Sequence, residues 1–240
     1  MDKSEIREKL IKQEADKPEL AKLRSKAALF VASSFQQFGE ALQISGHFIG
    51  SDRKDKISPF QFGSDEIYGV SLLLRIAAEL SKNTVKLYQA EQTYAASALL
   101  RQIVEIEYLA WAFNRRDGDA EKWLRSDKNE RWEMFRPAKL RAAAGEVFRA
   151  KDYGYHCDMG GHPTPSAMTL LQNDSLVIQL LLSDLLGHMS GIWTHFVDWG
   201  KQHQELNSIF SQYHLLGKST GECLSDWKTT DPLVGLGPPP

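Results

Sequence analysis

The chain has 240 residues, 42% hydrophobic and 25% charged, which is the composition of a folded globular protein and excludes a disordered one. With 29 basic against 31 acidic residues the formal net charge is −2, so no global basic field exists and any nucleic-acid contact must be a local patch. Two cysteines far apart, Cys157 and Cys223, exclude a disulfide framework and a cysteine-paired zinc finger.

The opening stretch "MDKSEIREKLIKQEADKPEL" mixes charges and holds no apolar signal core, so a cytoplasmic location is expected. Asp16 and Pro18 start the first helix. Its apolar positions Leu20, Leu23, Ala27, Phe30, Phe35, Phe38 and Leu42 recur at three- and four-residue steps. Residues 45–63 carry glycine, proline and charge and read as a loop. Ser64 before Asp65 and Glu66 is an N-cap with an acidic first turn, opening a helix to about Leu87. A second long helix runs from about Thr93 to Arg115, where "RDGD" stops it, and shorter helices cover 119–134 and 138–150.

A last long helix is expected from about Asp174 to His214. Its most apolar run, "SLVIQLLLSDLLGHM", is broken by Gln179, Ser183 and Asp184 and reads as too short and too polar to span a bilayer, so no membrane partner is expected. No strand alternation and no fixed repeat are visible. The fold class is therefore all-α, an antiparallel helical bundle of four to five long helices plus short ones. Residues 1–215 form one domain, with 1–63 a helical extension and loop, 64–215 the core bundle, and 216–240 a flexible glycine- and proline-rich tail.

Some motifs fail in context. "GKSTG" at 217–221 fits a nucleophile elbow by spelling, but it lacks the preceding strand and a later histidine. The helix around "TYAASALLRQIVEIEYLAWAF" is apolar over an arc of roughly 220°, leaving a strip with Tyr94, Arg101, Glu105 and Tyr108. Arg101 and Glu105 are one turn apart and can pair, holding a guanidinium ready for a phosphate. Glu107 projects into the apolar arc, where a carboxylate must find a partner or rest at an edge.

The segment "YGYHCDMGGHPTP" (153–165) is a helix stub ending in a stiff turn, because Gly160 and Gly161 loosen the backbone and Pro163 and Pro165 forbid further helix. His162 sits at that turn and is a candidate acid/base group; the alternative is a buried His162 that caps a neighbouring helix. His156, Cys157, Asp158 and His162 have metal-binding donor types, but adjacent helical positions point about 100° apart and do not converge on one ion. Asp184 and His188, at i, i+4, also have metal-ligand spacing. With His195, Trp199 and His203 they form one face, read as a solvated or inter-helix polar stripe. No metal or cofactor is assigned.

"LLRQIVEIEYLAWAF", the Trp/Arg-rich connection "KWLRSDKNERWEMF" and "YGYHCDMGGHPTP" together resemble an uncharacterised family of bacterial all-helical proteins, distantly like the HEPN superfamily, over about residues 65–200. That resemblance implies a metal-independent ribonuclease of the antiphage-defence or toxin–antitoxin kind, or a degenerate relative, working as a homodimer on RNA. The Arg-x6-His spacing of Arg149 and His156 matches the superfamily's motif, whereas Ala150 departs from the polar residue usual after the arginine. The candidate catalytic set is His162, His156, Arg149, Arg101 and Glu105. The rivals are a non-enzymatic helical scaffold with a protein partner and, behind it, a metal-dependent hydrolase.

Overall fold

The structure is a computed structural model that describes residues 17–49, 63–148 and 152–234. Among these residues there is no strand. The helices are α1 (Pro18–Phe48), α2 (Asp65–Gln89), α3 (Thr93–Arg115), α4 (Asp119–Arg125), α5 (Lys128–Phe135), α6 (Pro137–Ala144), α7 (Asp152–His156), α8 (Ser175–Gly200), α9 (Asn207–Gln212) and α10 (His214–Thr230). Residues Cys157–Gly161 widen into a π turn, and Pro165–Gln172 form a 3₁₀ stretch.

The all-α bundle expected from periodicity is what the chain forms. Four long helices make its core, with α1 against α2, α2 against α3, α3 against α8, and α8 back against α1. Gly46 packs on Tyr68 and Gly39 on Ser71 and Arg75, so α1 and α2 run antiparallel. The three-residue link between α2 and α3 reverses the chain again. Helix α8 differs. Thr93 meets Asn173, Glu107 meets His188 and Asn114 meets Gln202, so α8 runs parallel to α3. Arg24 meets Gln179 and Phe38 meets Phe196, so it also runs parallel to α1. The long connection through α4–α7 returns the chain to the end of the bundle from which α8 starts.

Helix α1 is not an extension. Ala28, Val31, Ala32, Phe35 and Leu42 of α1 are fully buried, which makes this helix a wall of the core. The helix expected over 174–214 breaks at Gly200, because the chain turns back and Phe210 packs against that glycine where a side chain would stand. The expected single helix over 119–134 is split at Ser126, and Asp127 with Glu130 forms a capping box that starts α5.

The tail boundary at 215 is also overturned. Helix α10 lies along α1, with Thr220, Leu224 and Trp227 buried and Thr220 Oγ1 donating to Ser34 Oγ at 2.8 Å. Just beyond it, Asp231 accepts from the fully buried Arg24 through both oxygens, at 2.8 and 2.6 Å. Trp227 Nε1 donates to the same carboxylate at 2.8 Å, and Arg24 also donates to Gln179 at 3.0 Å. The "GKSTG" stretch is interior to α10, which disposes of the nucleophile elbow.

Helix α8 has 26 residues and a mean hydropathy of 1.4 over its most apolar stretch, enough by length and composition to cross a membrane. Of that stretch 67% is buried inside the bundle. The run quoted from the sequence is thus only the first part of a longer apolar helix.

Candidate functional site

A cleft of about 780 Å³ opens between α3 and the α5–α6 connection, and Arg101, Glu105, Tyr153 and His162 all line it. The turn at 160–162 therefore does fold against the Arg101–Glu105 strip. Two glycines permit this. A Cβ on Gly160 would stand 2.5 Å from the Ser97 carbonyl carbon, and one on Gly161 would overlap the Arg101 side chain. Only bare backbone lets the π turn press this closely onto α3.

The turn is then pinned by its own hydrogen bonds. His162 N–H donates to the Cys157 carbonyl at 3.0 Å, five residues back, and Thr164 Oγ1 donates to the Asp158 carbonyl at 2.6 Å. His162 leaves the helix in extended conformation and is exposed, so it is not the buried capping residue of the alternative reading.

Arg101 is held from three sides. Its guanidinium reaches Glu105 Oε1 at 2.8 Å and donates to the Tyr153 hydroxyl at 2.8 Å, while Nε donates to Cys157 Sγ at 3.5 Å. Tyr153 in turn donates to Glu105 Oε1 at 2.9 Å, closing a triangle. Burial alone would lower the Arg101 pKa, but Cys157, Glu105 and Tyr153 outweigh it and push it up. Burial, and then the Glu105 carboxylate, pushes the Tyr153 pKa up, so this hydroxyl keeps its proton as a donor. A fixed guanidinium of this kind suits a phosphate oxygen better than a mobile one does, because less side-chain entropy is lost on binding.

The opposite wall comes from α5 and the α5–α6 junction. It adds Lys128, Arg131 and Arg136, so the cleft carries four cations against the one carboxylate of Glu105. Trp132 is 62% exposed there, with the Arg136 guanidinium 5.4 Å from its ring centre. The "KWLRSDKNERWEMF" stretch contained part of this signal, since Lys128, Arg131 and Trp132 stand at i, i+3 and i+4 and can share a short helix face, but the partner face could not be known.

Two other members were expected. Arg149 is outside the described residues. His156 does not line the cleft; it is 2% exposed and points to the interior, with Nε2 3.1 Å from Asp184 Oδ2. The π turn is the reason, since it separates His156 from His162 by a widened turn and sends them to opposite sides of the segment. Tyr108, assigned to the polar strip, is buried against Phe148 with ring centres 4.4 Å apart.

Glu107 finds its partner in His188, Oε2 to Nδ1 at 2.6 Å, and His188 Nε2 is 3.8 Å from Asp184 Oδ1. Gly191 makes room for this carboxylate, which occupies the place of a Cβ. The polar face of α8 is an inter-helix seam: its far end runs to Glu66 of α2, which accepts from Trp199 at 3.2 Å and lies 3.5 Å from His203 Nε2. His195 is half-buried on the same face, and burial pushes its pKa down.

Comparison with protein-family models, with curated proteins and with solved structures finds no match for this chain.

Proposed function

We propose that the cleft binds single-stranded RNA and cleaves its phosphodiester backbone without a metal at the reacting phosphate. The observation that carries this reading is the locked Arg101–Glu105–Tyr153 triangle in one cleft with an exposed histidine, His162. Arg101 would meet a non-bridging phosphate oxygen and offset the charge that builds on it in the transition state. His162 would take the proton from the ribose 2′-OH as its oxygen bonds to phosphorus, or return one to the 5′-oxygen as that bond breaks. The products are a 2′,3′-cyclic phosphate and a free 5′-hydroxyl, so the step needs no co-reactant.

The cationic wall and Trp132 support a single-stranded ligand. Lys128, Arg131 and Arg136 follow a backbone by charge, and an exposed indole offers a face on which any base stacks. One histidine does both proton transfers only in sequence. A second copy of the chain that brings its own cleft alongside would supply the other acid/base group, which is why a homodimer belongs to this reading.

The test is cleavage of end-labelled single-stranded RNA in EDTA by wild type, Arg101→Ala, His162→Ala and Trp132→Ala, with light scattering to give the oligomeric state. His162→Ala or Arg101→Ala should lower the rate by on the order of 10²–10⁴. Trp132→Ala should weaken RNA binding by about 1–3 kcal/mol. Equal cleavage by all four proteins removes the cleft from the reaction. No RNA binding by wild type, with a lowered melting temperature in His162→Ala, favours the helical scaffold instead.

A further inference from the structure

Behind the cleft, on the inner side of α7, four side chains from three helices meet. His156 ends α7, Asp184 and His188 lie one turn apart on α8, and Glu107 comes from α3. His156 and His188 are buried, their rings 5.4 Å apart, and one donor atom from each of His156, Asp184 and His188 lies within 4.8 Å of the others. We propose that His156, Asp184 and His188 bind one divalent transition-metal ion, with Glu107 as the outer support of His188.

Three observations carry this. The first is spacing. Four ligands at about 2.0–2.1 Å around one tetrahedral ion stand about 3.3 Å from each other. The separations from His156 Nε2 to Asp184 Oδ2, 3.1 Å, and from His188 Nε2 to Asp184 Oδ1, 3.8 Å, bracket that edge, each imidazole facing one oxygen of the same carboxylate.

The second is the outer carboxylate. Glu107 contacts His188 through Nδ1, as a supporting carboxylate does for a metal-bound imidazole, and leaves Nε2 as the ring nitrogen on the Asp184 side. The support is itself built in, because Gly191 leaves the space that the Glu107 carboxylate fills.

The third is charge. Asp184 and Glu107 bring two negative charges into a largely buried site. Neutrality requires two positive charges, which a divalent ion supplies at once. Two imidazoles and one carboxylate select a borderline transition ion such as zinc, iron(II) or cobalt(II) over magnesium or calcium, which prefer all-oxygen sites. Cys157 is not a ligand, since its sulfur faces Arg101.

The inference does not depend on what the cleft binds. The ion would tie α7 to α8 and so act as a positioning centre for Tyr153, which leaves the outer side of the same five-residue helix.

The experiment strips purified full-length protein with chelator and titrates it with Zn²⁺ and, separately, Co²⁺. Bound metal is measured by mass spectrometry after desalting, and the visible d–d bands of cobalt report the ligand field. Wild type should take up one equivalent, show cobalt bands of nitrogen/oxygen coordination, and melt at a higher temperature when loaded. Asp184→Asn with His188→Gln should abolish stoichiometric uptake. Glu107→Gln, which keeps all three ligands, should weaken affinity about 10–100-fold.

Folded wild type that retains no metal overturns the proposal, and the cluster is then two buried histidine–carboxylate ion pairs. Equal uptake by wild type and the double variant also overturns it, as adventitious surface binding. If the double variant fails to fold, wild-type stoichiometry and the Glu107→Gln affinity decide, and an unchanged affinity in Glu107→Gln rejects the outer support. RNA cleavage is scored on the metal-loaded protein as well as in EDTA, so a loss confined to EDTA reports the positioning ion and a loss in both reports failure of the cleft reading.

Discussion

Gly160 and Gly161 are neighbours in the π turn, yet adding one methyl group to each should have opposite consequences. On Gly160 the new Cβ meets α3 backbone, 2.5 Å from the Ser97 carbonyl carbon and 2.7 Å from the Ala98 nitrogen. A helix backbone cannot yield, so the whole turn must lift, and the cost belongs at the upper end of overpacking penalties, about 2–3 kcal/mol. For a chain of this size that lowers the melting temperature by about 4–12 °C.

On Gly161 the methyl meets the Arg101 side chain instead, 2.6 Å from Nε. That gap is about 1 Å short of an ordinary contact, and a side chain can move by that much. Ala at 161 also loses less conformational entropy on folding than glycine does, which offsets the strain, so stability should stay within about 1 kcal/mol of wild type. Arg101, however, leaves the position fixed by Glu105, Tyr153 and Cys157. A 1 Å misplacement at a reacting centre costs on the order of 10²-fold in rate. Thermal melts and single-turnover RNA cleavage, run in parallel, separate the two effects. If Gly161→Ala cleaves as fast as wild type, Arg101 does not act at the phosphate; if Gly160→Ala melts like wild type, the turn is not pressed on α3 as described.

Two further predictions concern the frame of the bundle. Asp231→Ala leaves the Arg24 guanidinium buried without its carboxylate and should cost about 3–5 kcal/mol, measured by urea unfolding; a loss below 1 kcal/mol would show that α10 is not clamped to α1. The Glu66–His203 pair gives a pH dependence. Hydrogen bonding to Glu66 holds His203 above its ordinary 6.5, and the same bond holds Glu66 below 4.5. The histidine contribution is complete below pH 6.5 and fades as pH rises through the raised value, while the carboxylate contribution is complete above pH 4.5 and fades as pH falls. His203→Ala should therefore be less stable than wild type by about 1 kcal/mol between those values, with the gap closing in alkaline solution. A gap that does not change with pH would mean that packing, not charge, accounts for it.

Much of the fold was legible because its signals are local. Ser64 caps α2 as its sequence neighbours suggest, accepting from the Ile67 amide, and the apolar arc of α3 is buried as its periodicity required. The Arg101–Glu105 pair and the approach of His162 to it were also readable, since the glycines and prolines of one short segment dictate a turn. The metal-ligand set was not readable. Its ligands come from two different helices and its supporting Glu107 stands 81 positions before His188, and only the discomfort of Glu107 and the spacing of Asp184 and His188 hinted at it. His156 was misplaced because it was grouped with the cleft by its Arg-x6-His spacing to Arg149, whereas positions six apart on a helix, as His156 and His162 are, already point about 120° away from each other. Helix α10 was taken for a loose tail because the stretch from 216 to 240 is rich in glycine and proline. The four- and three-residue steps between Thr220, Leu224 and Trp227 count for little until α1 is there to receive them.

The clamp between Arg24 and Asp231 joins positions 207 residues apart. Chain segments that meet in this way can be spliced together and the polypeptide reopened at another exposed connection without dismantling the core. A circularly permuted version of this bundle, joined across that clamp and cut at the exposed link between α2 and α3, should therefore still fold.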